Sequence, residues 1–190
     1  AVTEEGSVFA WGRNNYGQIT IPDDLGAAIA VAAGHAHTLI LKEDGTVIGI
    51  GRDNYGQISV PDGLDEVKSI TTGREHSLAL KEDGTVVAWG RNDYGQSSVP
   101  EDLSDVVAIS AGYYHSLALT SDGMVIAWGD NSYGQGNVLE DLSGVAAIDA
   151  GGFHNLALKE DGSVAVWGRN NYEQATAPED LSGVIAIAAG

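Results

Sequence analysis

The dipeptide Trp-Gly stands at Trp11-Gly12 and returns at Trp89-Gly90, Trp128-Gly129 and Trp167-Gly168, with Ile50-Gly51 in the gap. Every step is 39 residues or a multiple of it. His37, His76, His115 and His154 keep the same period, as do Tyr16, Tyr55, Tyr94, Tyr133 and Tyr172, and no position drifts between copies. A fixed period near 40 confines a chain to repeat architectures, in which one small unit gains its core by packing on the next. Five copies would need 195 residues, five more than the 190 present.

One unit, read from Val106, holds four short runs. The first, Val106–Ala111, is rich in small residues and ends at Gly112. The second is His115–Thr120, the third spans 124–128, and the turn Ser121-Asp122-Gly123 separates them. Asp-Gly between apolar runs signals a β-hairpin, because glycine supplies a positive φ without strain. A fourth, shorter run at 135–138 leads through Glu140-Asp141-Leu142-Ser143-Gly144 into the next unit. No stretch reads as a helix. Four runs at this period predict an all-β fold, a β-propeller of four-stranded antiparallel blades. Small side chains in the first run suit the innermost strand, and Trp at the end of the third suits the packing between blades. The tryptophans therefore read as core.

The whole chain, 1–190, reads as one repeat domain, with blade-equivalent units near 28–66, 67–105, 106–144 and 145–183, and a fifth from 184–190 plus 1–27. Ala1 aligns with Ala118, inside the second run, and Gly190 with Gly112, at the end of the first. The expectation is that the run 184–189 pairs with the strand beginning at Ala1. That pairing would close a five-bladed ring within one chain or join one chain to the next. A place in a longer ring is the third option.

The string His115-Ser116-Leu117-Ala118-Leu119, then Asp122-Gly123, then Ala127-Trp128-Gly129-Asp130-Asn131 and Tyr133-Gly134-Gln135, resembles the regulator-of-chromosome-condensation repeat, and the resemblance covers the whole chain. The short insertion-free unit is most similar to the bacterial propeller-type β-lactamase inhibitory proteins. That resemblance implies a propeller that binds a protein through aromatic loop residues, outside the cytoplasm. Departures from the pattern are local: Ile50 for tryptophan, Glu173 for glycine, and Leu139 for the proline at Pro22, Pro61, Pro100 and Pro178.

Strand alternation sends loops to two faces. The loops after the first and third runs share one face, and it takes all five arginines: Arg13, Arg52, Arg74, Arg91 and Arg169. Five acids join them there, so this face is neutral by count. Of the 27 acids, 21 fall in the hairpins and inter-blade links of the other face and Asp149 lies in a strand; with the four lysines these account for the net charge of −18. An acidic face of this kind reads as solvated surface, and no calcium-loop spacing appears in it. The charge excludes general binding to nucleic acid, which needs clustered cations.

Binding is expected on the arginine face. The pairs His35-Ala36, Arg74-Glu75, Tyr113-Tyr114 and Gly152-Phe153 occupy equivalent positions but differ in every copy. Residues that vary between copies are free to serve a partner, whereas repeated ones serve the blade. Tyr113, Tyr114, Phe153 and Arg74 lead the candidates, followed by His35 and by the repeated Tyr16, Tyr55, Tyr94, Tyr133 and Tyr172 with Arg13, Arg52, Arg91 and Arg169. Aromatic residues and arginine carry interface energy. Carbohydrate binding by the tyrosine loops and self-assembly of opposed faces are the alternatives.

Catalysis and cofactors are not expected. Histidines at equal spacing around a ring cannot meet one zinc ion, and they read as structural, each bonding a loop carbonyl. A His-Ser pair repeated on successive blades lacks a unique acid or oxyanion site. With no cysteine there is no thiolate site.

Overall fold

A computed structural model describes residues 1–190. It is all-β, with four sheets in chain order. Blade I is β1 (Ala28–Ala33), β2 (His37–Lys42) and β3 (Val47–Gly51); blade II is β4 (Val67–Thr72), β5 (His76–Lys81) and β6 (Val86–Gly90). Blade III is β7 (Val106–Ala111), β8 (His115–Thr120) and β9 (Val125–Gly129); blade IV is β10 (Val145–Ala150), β11 (His154–Lys159) and β12 (Val164–Gly168). Each sheet is an antiparallel meander of three strands. A bulge at the second residue of every first strand turns Ile29 and Val107 out to solvent.

The sheets therefore have three strands, not the four expected. The run 135–138 and its equivalents form turns instead, because side chains there take the amides that a ladder would need. Asn131 Oδ1 accepts from Gly136 N at 2.8 Å, and Gln135 Oε1 accepts from Tyr133 N at 2.9 Å. Asn14, Asp53, Asn92 and Asn170 make the same turn bond in the other copies. Asx side chains that bond nearby amides compete with regular secondary structure.

The core lies between blades rather than within them. Leu39, Leu41 and Val47 of blade I pack against Val67, Ile70, Ala79 and Trp89 of blade II. Leu78, Leu80 and Val86 of blade II meet Val106, Ala118 and Trp128, and Leu117, Leu119 and Val125 of blade III meet Val145, Ala157 and Trp167. The middle strands of blades II and III are covered on both sides, which is why the run around Leu78 is apolar or small at nearly every position.

Within the single chain the two end segments do not pair, so no closed ring is seen. Residues 184–190 make no strand and lie along blade IV, with Val184 N bonded to Gly162 O, Ala189 N to Asp149 Oδ2 and Gly152 N to Gly190 O. The N-terminal segment folds on itself through the bridge Val2–Val8 and leans on blade I, where Ala28 N bonds Gly6 O. In blades I to IV the first strand is held by a second strand that follows within four residues, and 184–189 has no such neighbour. Trp11 at one end of the array is 76% exposed and Ile185 at the other 94%.

Candidate functional site

The glycine of each Trp-Gly pair builds the site. At Gly129 φ is 99°, and a Cβ would stand 2.6 Å from Tyr114 O; at Gly168 φ is 103° with Phe153 O at 2.7 Å. No other residue lets the third strand leave its blade so close to the loop after the first. The next amide then locks the two loops together: Asp130 N bonds Tyr114 O, Arg169 N bonds Phe153 O and Arg91 N bonds Glu75 O, all within 2.9 Å. The second member of each variable pair is thereby fixed beside the residue after Trp-Gly.

Those neighbours form one surface. Tyr94 lies 5.3 Å from Tyr114, Tyr113 lies 5.3 Å from Phe153, and Phe153 lies 5.2 Å from Tyr133, ring centre to ring centre, in tilted or edge-on contacts. Such geometries suit the ring quadrupoles. The result is an unbroken aromatic ridge across blades II to IV. Arginines flank it: Arg91 stands over Tyr55 at 4.8 Å and over Tyr114 at 5.2 Å, and Arg169 over Tyr133 at 5.0 Å and Tyr172 at 5.4 Å. Arg74 stands over both Tyr113 and Tyr114.

The repeated pairs obey a rule. The arginine of one blade stacks on the tyrosine of the blade before, as Arg52 does on Tyr16, Arg91 on Tyr55 and Arg169 on Tyr133. At the remaining junction Asp130 replaces the arginine, and Tyr114 packs on Tyr94 instead. Tyr16, Tyr55, Tyr94 and Tyr133 thus serve the blade while remaining half exposed, whereas Tyr172, with no blade after it, is mostly exposed. Two candidates stand apart from the ridge: Arg13 is exposed with no stacking partner, and His35 lies on the rim of an axial mouth with Arg74.

Two groups were missed as site-builders. Glu75 is buried and holds Arg91 at 2.6 Å and Arg52 at 3.4 Å; Asp93 first, and Glu75 after it, push the Arg91 guanidinium pKa up. The signal was an acid in a position filled elsewhere by alanine or an aromatic ring. Gln57, Gln96 and Gln135 are fully buried clamps. Each main-chain carbonyl accepts from the indole of the next blade, Trp89, Trp128 and Trp167, at 3.0–3.1 Å.

The histidines are structural, but their partner is not a loop carbonyl. Ser77 Oγ donates to Gln57 O, so it accepts from His37 Nε2–H at 3.2 Å. His76 meets Ser116 in the same way, and His115 meets Asn155. Each of these three histidines thus ties its blade to the next. Its ring lies so near the preceding Gly34, Gly73 or Gly112 that a Cβ there would overlap Cε1. Burial lowers the His37 pKa to about 4 and that of His76 to about 3, keeping both rings neutral.

A model of the regulator of chromosome condensation (RCC1) repeat matches residues 1–18, 28–57, 67–96, 106–135 and 145–174. No curated protein matches the chain. Among solved structures it is similar to Prp20p from Saccharomyces cerevisiae, described together with its binding to Gsp1p and histones, at 23% identity and a TM-score of 0.73, over 86% of this chain and 54% of that one. The ectodomain of the Arabidopsis thaliana receptor kinase ACR4 gives 23% and 0.73 over 95% and 65%, and human WBSCR16 gives 23% and 0.69 over 86% and 52%. The chain thus spans little more than half of Prp20p and of WBSCR16. At these identities the likeness establishes a propeller-like fold.

Proposed function

The chain belongs to the regulator of chromosome condensation repeat family, and on that premise we propose that it is a non-enzymatic scaffold gripping a protein partner through its aromatic and arginine face. The observation that carries this reading is the ridge from Tyr94 through Tyr114, Tyr113 and Phe153 to Tyr133. Its variable members supply half-exposed rings on a rigid base, at little entropic cost on binding. Prp20p, similar in fold, binds proteins. The finer proposal is inhibition of a β-lactamase-like enzyme, to be measured against a panel of class A enzymes. No inhibition at micromolar concentration removes it.

The broader reading is tested by replacing Tyr113, Tyr114 and Phe153 together with alanine. Partner binding should be lost while the unfolding temperature holds. Unchanged affinity refutes the ridge as the site. A second reading, self-association, is supported by the uncovered apolar side chains of Trp11 and Ile185. Light scattering at rising concentration decides it, and a constant monomer mass disposes of it.

A further inference from the structure

The ends of the first strands converge on an axial mouth of about 310 Å³ in the same face. Its wall is mostly glycine and alanine, because the histidine rings leave no room for a side chain at Gly34, Gly73, Gly112 or Gly151. Three loop amides around it are already used from blade to blade: Arg74 N to Tyr113 O, Tyr113 N to Gly152 O, and Gly152 N to Gly190 O. What remains for a ligand is the side chains at the rim. Arg74 is the one charged side chain among them, and no Asp or Glu side chain lines the mouth.

Arg74 differs from its neighbours in charge balance. Arg52 and Arg91 share Glu75, and Arg91 also holds Asp93. Arg74 has no ion pair, a feature it shares with Arg169 away from the mouth; its guanidinium stands on the rings of Tyr113 and Tyr114, and its buried Nε, like those of Arg52 and Arg169, has no acceptor. Aromatic faces attract a cation but bring no counter-charge. The adjacent acid, Asp149, is met by Ser110 Oγ, Ala150 N and Ala189 N. The acids of the opposite face are screened beyond about 8 Å at physiological salt.

The geometry points to a carboxylate-binding subsite at this mouth, where an Asp or Glu side chain of a protein partner pairs with Arg74, and His35 of the neighbouring blade offers a second donor. The inference rests on reading this face as a protein-binding surface and names what its centre recognises. The partner segment carries an acid flanked by apolar residues: the acid enters the mouth and the apolar residues lie on the ridge. A guanidinium on aromatic rings is weakly hydrated and suits such a carboxylate.

The test is a titration of the 15N-labelled full chain with N-acetyl-glutamate methylamide and, separately, with its glutamine counterpart, read by NMR at the Arg74 side chain and the amides of Gly34, Gly73 and Gly112. The glutamate probe should bind saturably and about tenfold more tightly than the glutamine probe, and Arg74→Gln should abolish the difference while leaving the remaining spectrum in place. Equal response to both probes, or a difference that survives Arg74→Gln, overturns the subsite. So does saturation by inorganic phosphate without saturation by the glutamate probe. Partner binding that depends on Tyr114 and Phe153 but ignores Arg74→Gln would sink the subsite and leave the ridge standing.

Discussion

The indole Nε1 of Trp128 donates a 3.0 Å hydrogen bond to the main-chain carbonyl of Gln96, 32 residues earlier and one blade back. The same carbonyl accepts from Ser116 Oγ at 2.9 Å, so one oxygen pins both the middle and outer strands of blade III. Trp128 also fills the space between Leu78, Leu80 and Val86. Trp128→Phe should keep much of that contact and cost about 1 kcal/mol for the bond, since Gln96 O retains a partner. Trp128→Ala should cost about 3–5 kcal/mol. Trp11→Ala removes a mostly exposed ring and should stay within about 0.5 kcal/mol. Urea unfolding of the three variants checks the ranking, and comparable losses for Trp11→Ala and Trp128→Ala would contradict the junction account.

Stability should fall in acid before the carboxylates titrate. Burial, reinforced by the nearness of His115 and His37, lowers the His76 pKa from its usual 6.5 to about 3, and burial lowers His37 to about 4. The folded rings stay neutral while the unfolded chain takes up protons near 6.5. Their stabilisation is whole above that value and is lost as pH falls through 6.5 towards about 4 and then about 3. The hairpin aspartates Asp83, Asp122 and Asp161 have pKa values lowered from 3.8, chiefly by bonds from the residue that follows the turn or precedes it. Their stabilisation is present above 3.8 and goes only below it. Between the two windows the histidines dominate. The urea midpoint of the parent should drop between about pH 7 and pH 4.5, and His76→Gln, though weaker at neutral pH, should drop less. Equal drops would show that His76 is not the linked group.

The three-stranded meanders were legible because burial on both faces of β5 or β8 leaves little freedom beyond apolar and small residues, and Asp-Gly marks the hairpins. The fourth strand was misread because Gln135 and Val138 look extended by composition. What decides their conformation is which amides Asn131 and Gln135 claim, and that depends on side-chain geometry rather than hydrophobic pattern. The variable pairs pointed to Tyr113, Tyr114 and Phe153 from sequence alone, since repetition makes every exception visible. Glu75 stayed hidden because a surface acid and a buried clamp are the same letter until two guanidiniums are placed beside it. Closure by 184–189 was inferred from strand counting, which says nothing about whether two edges reach each other.

Glu173 sits where every other copy has glycine. Its φ is 63°, against 75–81° at Gly17, Gly56, Gly95 and Gly134. A side chain in this left-handed region costs about 1–2 kcal/mol, part of which glycine returns as chain entropy. Glu173→Gly should therefore stabilise by about 0.5–1 kcal/mol, raising the unfolding temperature by about 1–4 °C for a chain of this length. Calorimetry checks this, and a lower unfolding temperature would mean that the Glu173 side chain contributes a contact that outweighs its strain.

Asn155 offers the most discriminating test of the blade junction, because one side chain does two jobs there. Its Oδ1 accepts from His115 Nε2–H at 2.6 Å, and its Nδ2 donates to Gln135 O at 2.8 Å, with the residue fully buried. In the two preceding junctions a serine hydroxyl performs both, accepting from the histidine and donating to the glutamine carbonyl. Asn155→Ser should therefore cost under about 1 kcal/mol. Asn155→Ala leaves the His115 N–H without an acceptor in a site sealed from water, although Gln135 O keeps Trp167 Nε1. An orphaned buried donor costs about 1–3 kcal/mol. Asn155→Asp should be worst at neutral pH, at about 3–5 kcal/mol, because the carboxylate cannot donate to Gln135 O and carries a buried charge. That charge should also raise the His115 pKa from its burial-lowered value, so the Asp variant alone should recover stability as pH falls through the histidine range. Denaturant unfolding across pH gives the order Ser, Ala, Asp. Should alanine prove as mild as serine, the histidine bond contributes nothing and the junction is held by Trp167 and apolar contact alone.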